Sequence, residues 1–258
     1  MSSIANIHPK AIIGSNTVIE PFATIGEDVE IGDNCWIGPN AVLMSGTRVG
    51  NNCKVFPGAV IGAIPQDLKY KGENTHVFIG DNTTIREHVT INKGTADKNK
   101  TSVGKNCLIM AYVHIAHDCI VGDHCIIANG VTLAGHIKID DFAILEGLVA
   151  VQQFVHIGAH SFIAGASLVR KNVPPYVKAA REPLAYIGIN SVGLKRRGYT
   201  ADDVSTIENI YKQIYILNKN VSEGMSKVAS SVADGKLKSE IMDFINSSEK
   251  GVIRSSLS

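Results

Sequence analysis

Hydrophobic positions recur every six residues through roughly the first two-thirds of the chain. The series starts at Ile7 and runs through Ile13, Ile19, Ile25, Ile31, Ile37, Leu43, Val49 and Val55 to Ile61. It resumes at Ile79, Ile85 and Ile91, then holds from Val103 through Ile109, Ile115, Val121, Ile127, Leu133, Ile139, Leu145, Val151, Ile157 and Ile163 to Val169. A helix period of 3.6 or a strand period of 2 would not keep one slot aliphatic for so long. The fifth position of each hexapeptide holds mostly small residues, such as Ala11, Thr17, Ala23, Cys35, Ala41 and Cys53, as a tight interior requires beside a branched neighbour. Gly often follows the aliphatic residue, as in "IGSN", "IGED" and "VGDH", and supplies turn conformations that branched residues resist. The pattern predicts an all-β hexapeptide β-helix. If three repeats make one coil, residues 18 apart stack on adjacent coils, and about twenty-five repeats give roughly eight coils.

Two polar stretches lack the aliphatic slot, "AIPQDLKYKGENTH" (63–76) and "ADKNKTS" (96–102), and are expected to leave the prism as loops. The repeat ends at "NVPPY", where Pro174 and Pro175 remove backbone donors. Beyond it the period becomes helical. Thr200 with Asp203 three residues on forms a capping signature, and Ile207, Ile210, Tyr211, Ile214 and Leu217 follow helical spacing. "KLKSEIMDFIN" is a second helix candidate and "SEGMSKVASSVA" a weaker third. The expected division is a β-helix over residues 1–175 and an α-helical C-terminal domain over 176–258.

Charge changes the picture little. The 258 residues carry a formal net charge of +1, so no nucleic-acid surface is expected from bulk charge. The N-terminus lacks a secretory pattern, and no stretch reaches the ~20 apolar residues of a membrane span. Five cysteines without a framework spacing fit a reducing compartment, and a cytoplasmic protein without a transmembrane segment is expected.

Candidate chemistry concentrates in "HIAHDCIVGDHC", residues 114–125. All five cysteines fall in the inward fifth slot, where a thiol acts as a small hydrophobe. No histidine occupies an inward slot. Asp118 and His136 are 18 apart, as are His117 and Gly135, so an imidazole, a carboxylate, a second imidazole and a glycine backbone should converge on one corner. A neutral imidazole oriented by a carboxylate suits proton abstraction from a hydroxyl, and a backbone N–H can face a developing oxyanion. A metal site and an inert polar surface remain competing readings of the same cluster. A prism packed with aliphatics has no internal pocket, so a small-molecule site needs a second surface. Closed cyclic symmetry is expected to supply one, here in a homotrimer.

"HIAHDC" followed by "LAGH", the loop "IPQDLKYKGE", "VPPY" and "GLKRRG" together resemble the UDP-N-acetylglucosamine O-acyltransferase family, over nearly the whole chain. The resemblance implies a left-handed parallel β-helix, a handedness the period alone does not give. It further implies transfer of a 3-hydroxyacyl chain from acyl carrier protein to the 3-hydroxyl of UDP-N-acetylglucosamine, the first step of lipid A synthesis, in a homotrimer with intersubunit sites and without a cofactor or metal. By resemblance His117 is the general base, Asp118 its orienting carboxylate and Gly135 the oxyanion donor. His136, Asp67 and Gln153 would contact the sugar, with Gln66 and Lys69 near Asp67 and His114 lining the nucleotide-sugar site. Asn190 and Arg197 would hold the uridine and phosphate end, and Arg196 would help dock the carrier protein. Gly165 would stand at the acyl-chain ruler position, where a glycine leaves the groove open for a long chain.

Gln152 stands where many members carry His, and Val192 where many carry an acidic residue. An acceptor bearing a 3-amino group is the alternative substrate. A zinc-dependent γ-class carbonic anhydrase, an acetyl-CoA-dependent acetyltransferase and a non-catalytic prism are the rival readings of the same fold.

Overall fold

The computed structural model describes residues 4–255. From Asn6–Ile7 to Leu168–Val169 the chain forms strands of two to four residues, and each pairs in parallel with the strand three further along. Three flat faces result. The first takes Asn6–Ile7, Thr24–Ile25 and every third strand thereafter to Leu168–Val169; the second starts at Ile12–Ile13 and the third at Val18–Ile19. The chain is a left-handed parallel β-helix of triangular section.

Register follows from what each slot buries. Ile115 pairs with Leu133 and Leu133 with Val151, so aliphatic side chains stack 18 residues apart along the axis. Ile37, Leu43, Ile61, Ile91, Ile115, Ile127 and Leu133 are fully buried in this column, beside Ala23, Ala41, Val113 and the cysteines. Each such side chain contributes about 1.5–3 kcal/mol before chain entropy is subtracted.

Between slots the chain must turn through about 120°, and in most hexapeptides one residue takes the left-handed backbone region to do so. Asn fills that position at 16, 34, 40, 52, 82 and 106, with φ between 56° and 58°. Asn tolerates this region better than most residues. Further along, bulkier groups occupy the same turn, among them Asp118 (φ 60°), His136 (φ 62°), Phe142 (φ 61°) and Phe154 (φ 65°).

Two coils are longer than the rest. Ile91 pairs with Ile61, 30 residues earlier, and Ile115 with Ile91, 24 residues earlier. The excess over 18 is twelve and six residues, both whole multiples of the repeat, so the aliphatic slot returns to the interior after each excursion. A one-residue slip would have turned it outwards. The extra residues leave as loops, 64–75 and 93–99, and both leave at the corner joining the first face to the second. The second loop lies three residues earlier than the polar stretch 96–102, because Lys100–Val103 is already a strand paired with His76–Ile79. Thr101 fills its small inward slot while Lys100 stays exposed.

After Pro175 the third face continues. Val177–Ala180 pairs in parallel with Phe162–Ile163, Ala185–Ile189 returns antiparallel, and Arg254–Ser255 adds to its far edge. The helices are α1 (Ser191–Arg196), α2 (Ala201–Tyr215), α3 (Val221–Ser231) and α4 (Lys236–Asn246). The Thr200–Asp203 capping box is present in both directions. Helix α2 buries Val204, Ile207, Ile210, Tyr211 and Ile214, and the Tyr211 hydroxyl donates to the Pro175 carbonyl at 2.6 Å. Among the described residues no helix is long and apolar enough to cross a membrane.

The interior column sets the stability of the prism. Ile115→Ala is expected to cost about 2–5 kcal/mol, through lost transfer energy and the cavity left between Ile91 and Leu133. A chemical-denaturation series against the wild type checks this; a loss below about 1 kcal/mol would mean that the column does not carry the fold.

Candidate active site

The corner between the first and second faces is built from residues 116–119, 134–137 and 152–155 on three successive coils, with both loops leaving beside them. His117 and Asp118 take the two turn positions of one coil, and Gly135 and His136 take the same two on the next. The coils are laced together there: His136 N–H donates to the His117 carbonyl at 3.0 Å, and Phe154 N–H to that of Gly135 at 3.3 Å.

His117 is 5 % exposed and Asp118 is fully buried. His117 Nδ1 lies 2.8 Å from Asp118 Oδ2. The carboxylate accepts three further hydrogen bonds from loop 93–99. The Thr95 hydroxyl reaches Oδ2 at 2.7 Å, Thr95 N–H reaches Oδ1 at 3.0 Å, and Lys98 N–H reaches Oδ1 at 3.3 Å. Burial by itself would raise the Asp118 pKa, but the bonds from Thr95 and His117, with the nearby His136, outweigh it and hold the carboxyl below its usual range. Asp118 is therefore ionised at neutral pH. An ionised carboxylate can only accept, so when the His117 ring carries a single proton this contact places it on Nδ1, which leaves the Nε2 lone pair free.

That lone pair faces Gly135. A Cβ at this glycine would lie 2.7 Å from His117 Nε2 and 2.6 Å from Cε1, so any side chain would displace the ring. Among the described residues the Gly135 N–H has no hydrogen-bond partner. The Gln153 amide reaches the same spot, 3.2 Å from that Cβ position. His136 stands edge-on to His117, with ring centroids 5.0 Å apart, and stacks on Phe154 at 4.6 Å. Its Nε2 is 3.8 Å from Asp118 Oδ2, and its Nδ1 is 3.1 Å from Asp97 Oδ2 without the alignment of a hydrogen bond. His114, on the first face, meets the Thr90 hydroxyl at 2.8 Å, and burial lowers its pKa and keeps it neutral.

His117, Asp118 and His136 offer ligand atoms within 4.8 Å of one another, the one trio of this kind among the described residues. Seating a cation there would require Asp118 to give up hydrogen bonds, since both of its oxygens are already engaged. The five cysteines are buried in the wall and unpaired.

The other sequence candidates lie elsewhere. Gln66, Asp67 and Lys69 sit on loop 64–75, where Asp67 Oδ1 accepts the Lys69 N–H at 2.9 Å and Gln66 and Lys69 are exposed. Asn190 and Arg197 flank α1 at the second corner. The Asn190 side chain caps Gly193 N–H and donates to the His160 carbonyl at 2.9 Å, and the Arg197 guanidinium lies 5.2 Å from the Phe142 ring centre. Arg196 and Val192 are exposed. Gly165 is exposed at the third corner, where its N–H donates to Glu146 at 3.1 Å. The candidates are thus spread over all three corners of the prism. A cavity of about 630 Å³ among the helices, lined by Tyr215, Asn218 and Arg254, touches none of them.

Thr95, Asp97 and Lys98 were not singled out by sequence, nor was Thr101, whose hydroxyl accepts the Asp118 N–H at 2.9 Å. The one available signal was the length of the excursion, which returns the loop to the corner it left.

Comparison with known proteins gives a consistent picture. Residues 172–253 match the family profile described as UDP-N-acetylglucosamine O-acyltransferase, domain 2, and residues 28–63 and 100–135 match the bacterial transferase hexapeptide profile. The chain is 43% identical to an acyl-(acyl-carrier-protein)–UDP-N-acetylglucosamine O-acyltransferase of Herminiimonas arsenicoxydans, over 98% of each. Among solved structures it is similar to a UDP-N-acetylglucosamine acyltransferase from Bacteroides fragilis, with a TM-score of 0.96 and 48% identity over 98% of this chain and 100% of that one. The enzyme from Francisella novicida follows, with a TM-score of 0.95 and 40% identity over 99% and 94%.

The hydrogen-bonded carboxylate gives a pH signature. Asp118→Asn is expected to lower stability at pH 7 by about 1–3 kcal/mol. Because the folded pKa of Asp118 is depressed, its contribution is complete above the ordinary Asp value of about 4 and is lost as pH falls through the lower folded value. Urea midpoints at pH 7, 5 and 3 should show the gap between the two proteins narrowing only at the lowest pH. A gap that persists unchanged there contradicts an ionised Asp118.

Proposed function

The chain belongs to the UDP-N-acetylglucosamine O-acyltransferase family, an acyl-carrier-protein-dependent enzyme family of lipid A synthesis, and we propose that His117 is its general base. The observation that carries this reading is the ring itself: Nδ1 is tied to an ionised Asp118, and Nε2 points at Gly135.

The reaction runs in two steps. His117 Nε2 takes the proton of the sugar 3-hydroxyl as its oxygen attacks the thioester carbonyl of the 3-hydroxyacyl carrier protein. The resulting imidazolium is stabilised by Asp118, and the oxyanion accepts the Gly135 N–H. Collapse breaks the carbon–sulfur bond, and the departing thiolate recovers the proton from His117. The thioester arrives activated, so no covalent enzyme intermediate is needed. His136, Gln153 and the loop residues Asp67, Gln66 and Lys69 orient the sugar, with His114 lining the nucleotide-sugar site. Cytoplasmic placement belongs to the same reading.

The spread of candidates over three corners supports a homotrimer. Asn190 and Arg197 of one protomer hold the uridine and phosphate end of a nucleotide whose sugar lies at the His117 corner of its neighbour. Gly165 lines the acyl groove between them, and Arg196, exposed at the end of α1, serves the carrier protein. Residues 1–175 supply the catalytic corner of this reading, and 176–258, whose first strands extend the third face, carry the helices.

Acyl transfer to UDP-N-acetylglucosamine and to its 3-amino analogue, from a panel of 3-hydroxyacyl carrier proteins, tests the chemistry. His117→Ala is expected to lose at least about a hundredfold in rate, and Gly165→Met to prefer shorter chains than the wild type. Equal activity of His117→Ala and wild type sinks the base assignment, and an unmoved chain preference sinks the ruler. Sedimentation equilibrium should give three times the 27.6 kDa chain mass; a monomer would leave the proposed site without its second wall.

A further inference from the structure

Asp118 is poised between two imidazoles. Its Oδ2 is 2.8 Å from His117 Nδ1 and 3.8 Å from His136 Nε2, so a modest swing of a free carboxylate would exchange one partner for the other. Among the described residues of the prism the carboxylate hydrogen-bonds only with His117. The backbone of Asp118 is fixed by its N–H to Thr101, but the carboxylate is held from outside, by loop 93–99.

We propose that Thr95 is a positioning residue of the acyl transfer, fixing the Asp118 carboxylate on His117 and away from His136. The inference rests on the reading of His117 as the base. Thr95 makes two of the four hydrogen bonds to the carboxylate, one to each oxygen, which sets the carboxylate plane. Its hydroxyl accepts the Asp97 N–H at 3.2 Å, so its own proton is directed at Asp118 Oδ2. The same turn presents Asp97 to His136 Nδ1 at 3.1 Å, which gives the second imidazole a carboxylate of its own. One short excursion of chain therefore sorts two carboxylates between two imidazoles. It also supplies the donors that a fully buried Asp118 needs to remain charged.

Removing the Thr95 hydroxyl leaves Asp118 with fewer donors and greater basicity, so it binds the His117 proton more tightly and the acid limb of activity moves to higher pH. The experiment compares Thr95→Val, Thr95→Ser and His117→Ala with wild type in acyl transfer, reading kcat, KM for the nucleotide sugar, the pH profile of kcat and the thermal midpoint. Thr95→Val is expected to lose about tenfold to a hundredfold in kcat with KM within about twofold, and to raise the acid limb. Thr95→Ser should restore most of kcat. If Thr95→Val is too unstable to assay, Thr95→Ala gives the same reading. A Thr95→Val protein with wild-type kcat and an unmoved acid limb, beside an inactive His117→Ala, overturns the positioning role alone. Equal losses in Thr95→Ser and Thr95→Val also overturn it, since the hydroxyl would then not be what matters. An active His117→Ala overturns the base assignment beneath it.

Discussion

One constraint governs the molecule: every sixth side chain must return to the axis of the prism. The aliphatic column from Ile19 to Val169 is buried because each branched residue rests on another one coil away. That stacking fixes the register of all three faces, since a slip of one residue would turn the column into water. It also explains the lengths of the two loops. Excursions of twelve and six residues, both multiples of the repeat, return to phase.

The site is a by-product of that register. Turn residues stacked one coil apart are brought within hydrogen-bonding distance whatever their identity, and here they are His117, Asp118, Gly135 and His136. Placing a carboxylate at a tight turn beneath a loop would normally favour its neutral form. The loop donors reverse the balance, so the pair acquires a fixed tautomer from groups that belong to no repeat. The prism supplies placement, and the excursion supplies electrostatics.

The division between what was legible in sequence and what was not follows the same line. The prism, the stacking of 117 on 135 and 118 on 136, the inward cysteines and the Thr200 cap were readable, because each depends on a fixed spacing. The strand Lys100–Val103 looked like loop because its inward slot holds Thr101, a polar residue of the right size. Val177–Ala180 and Ala185–Ile189 escaped notice because they extend the third face beyond Pro174–Pro175 without the hexapeptide rhythm. Thr95 could not be read at all, since a loop has no period to reveal what its side chains meet.

The two long coils bear on how the chain folds. Each coil rests only on its neighbours, so assembly resembles the winding of thread on a spool, with every completed turn serving as template for the next. Closing 30 residues instead of 18 costs only roughly 0.5 kcal/mol in loop entropy, so the excursions scarcely weaken the finished prism. Their cost falls on speed: winding should hesitate at the coil of Ile91, where the search for the next rung spans the most chain.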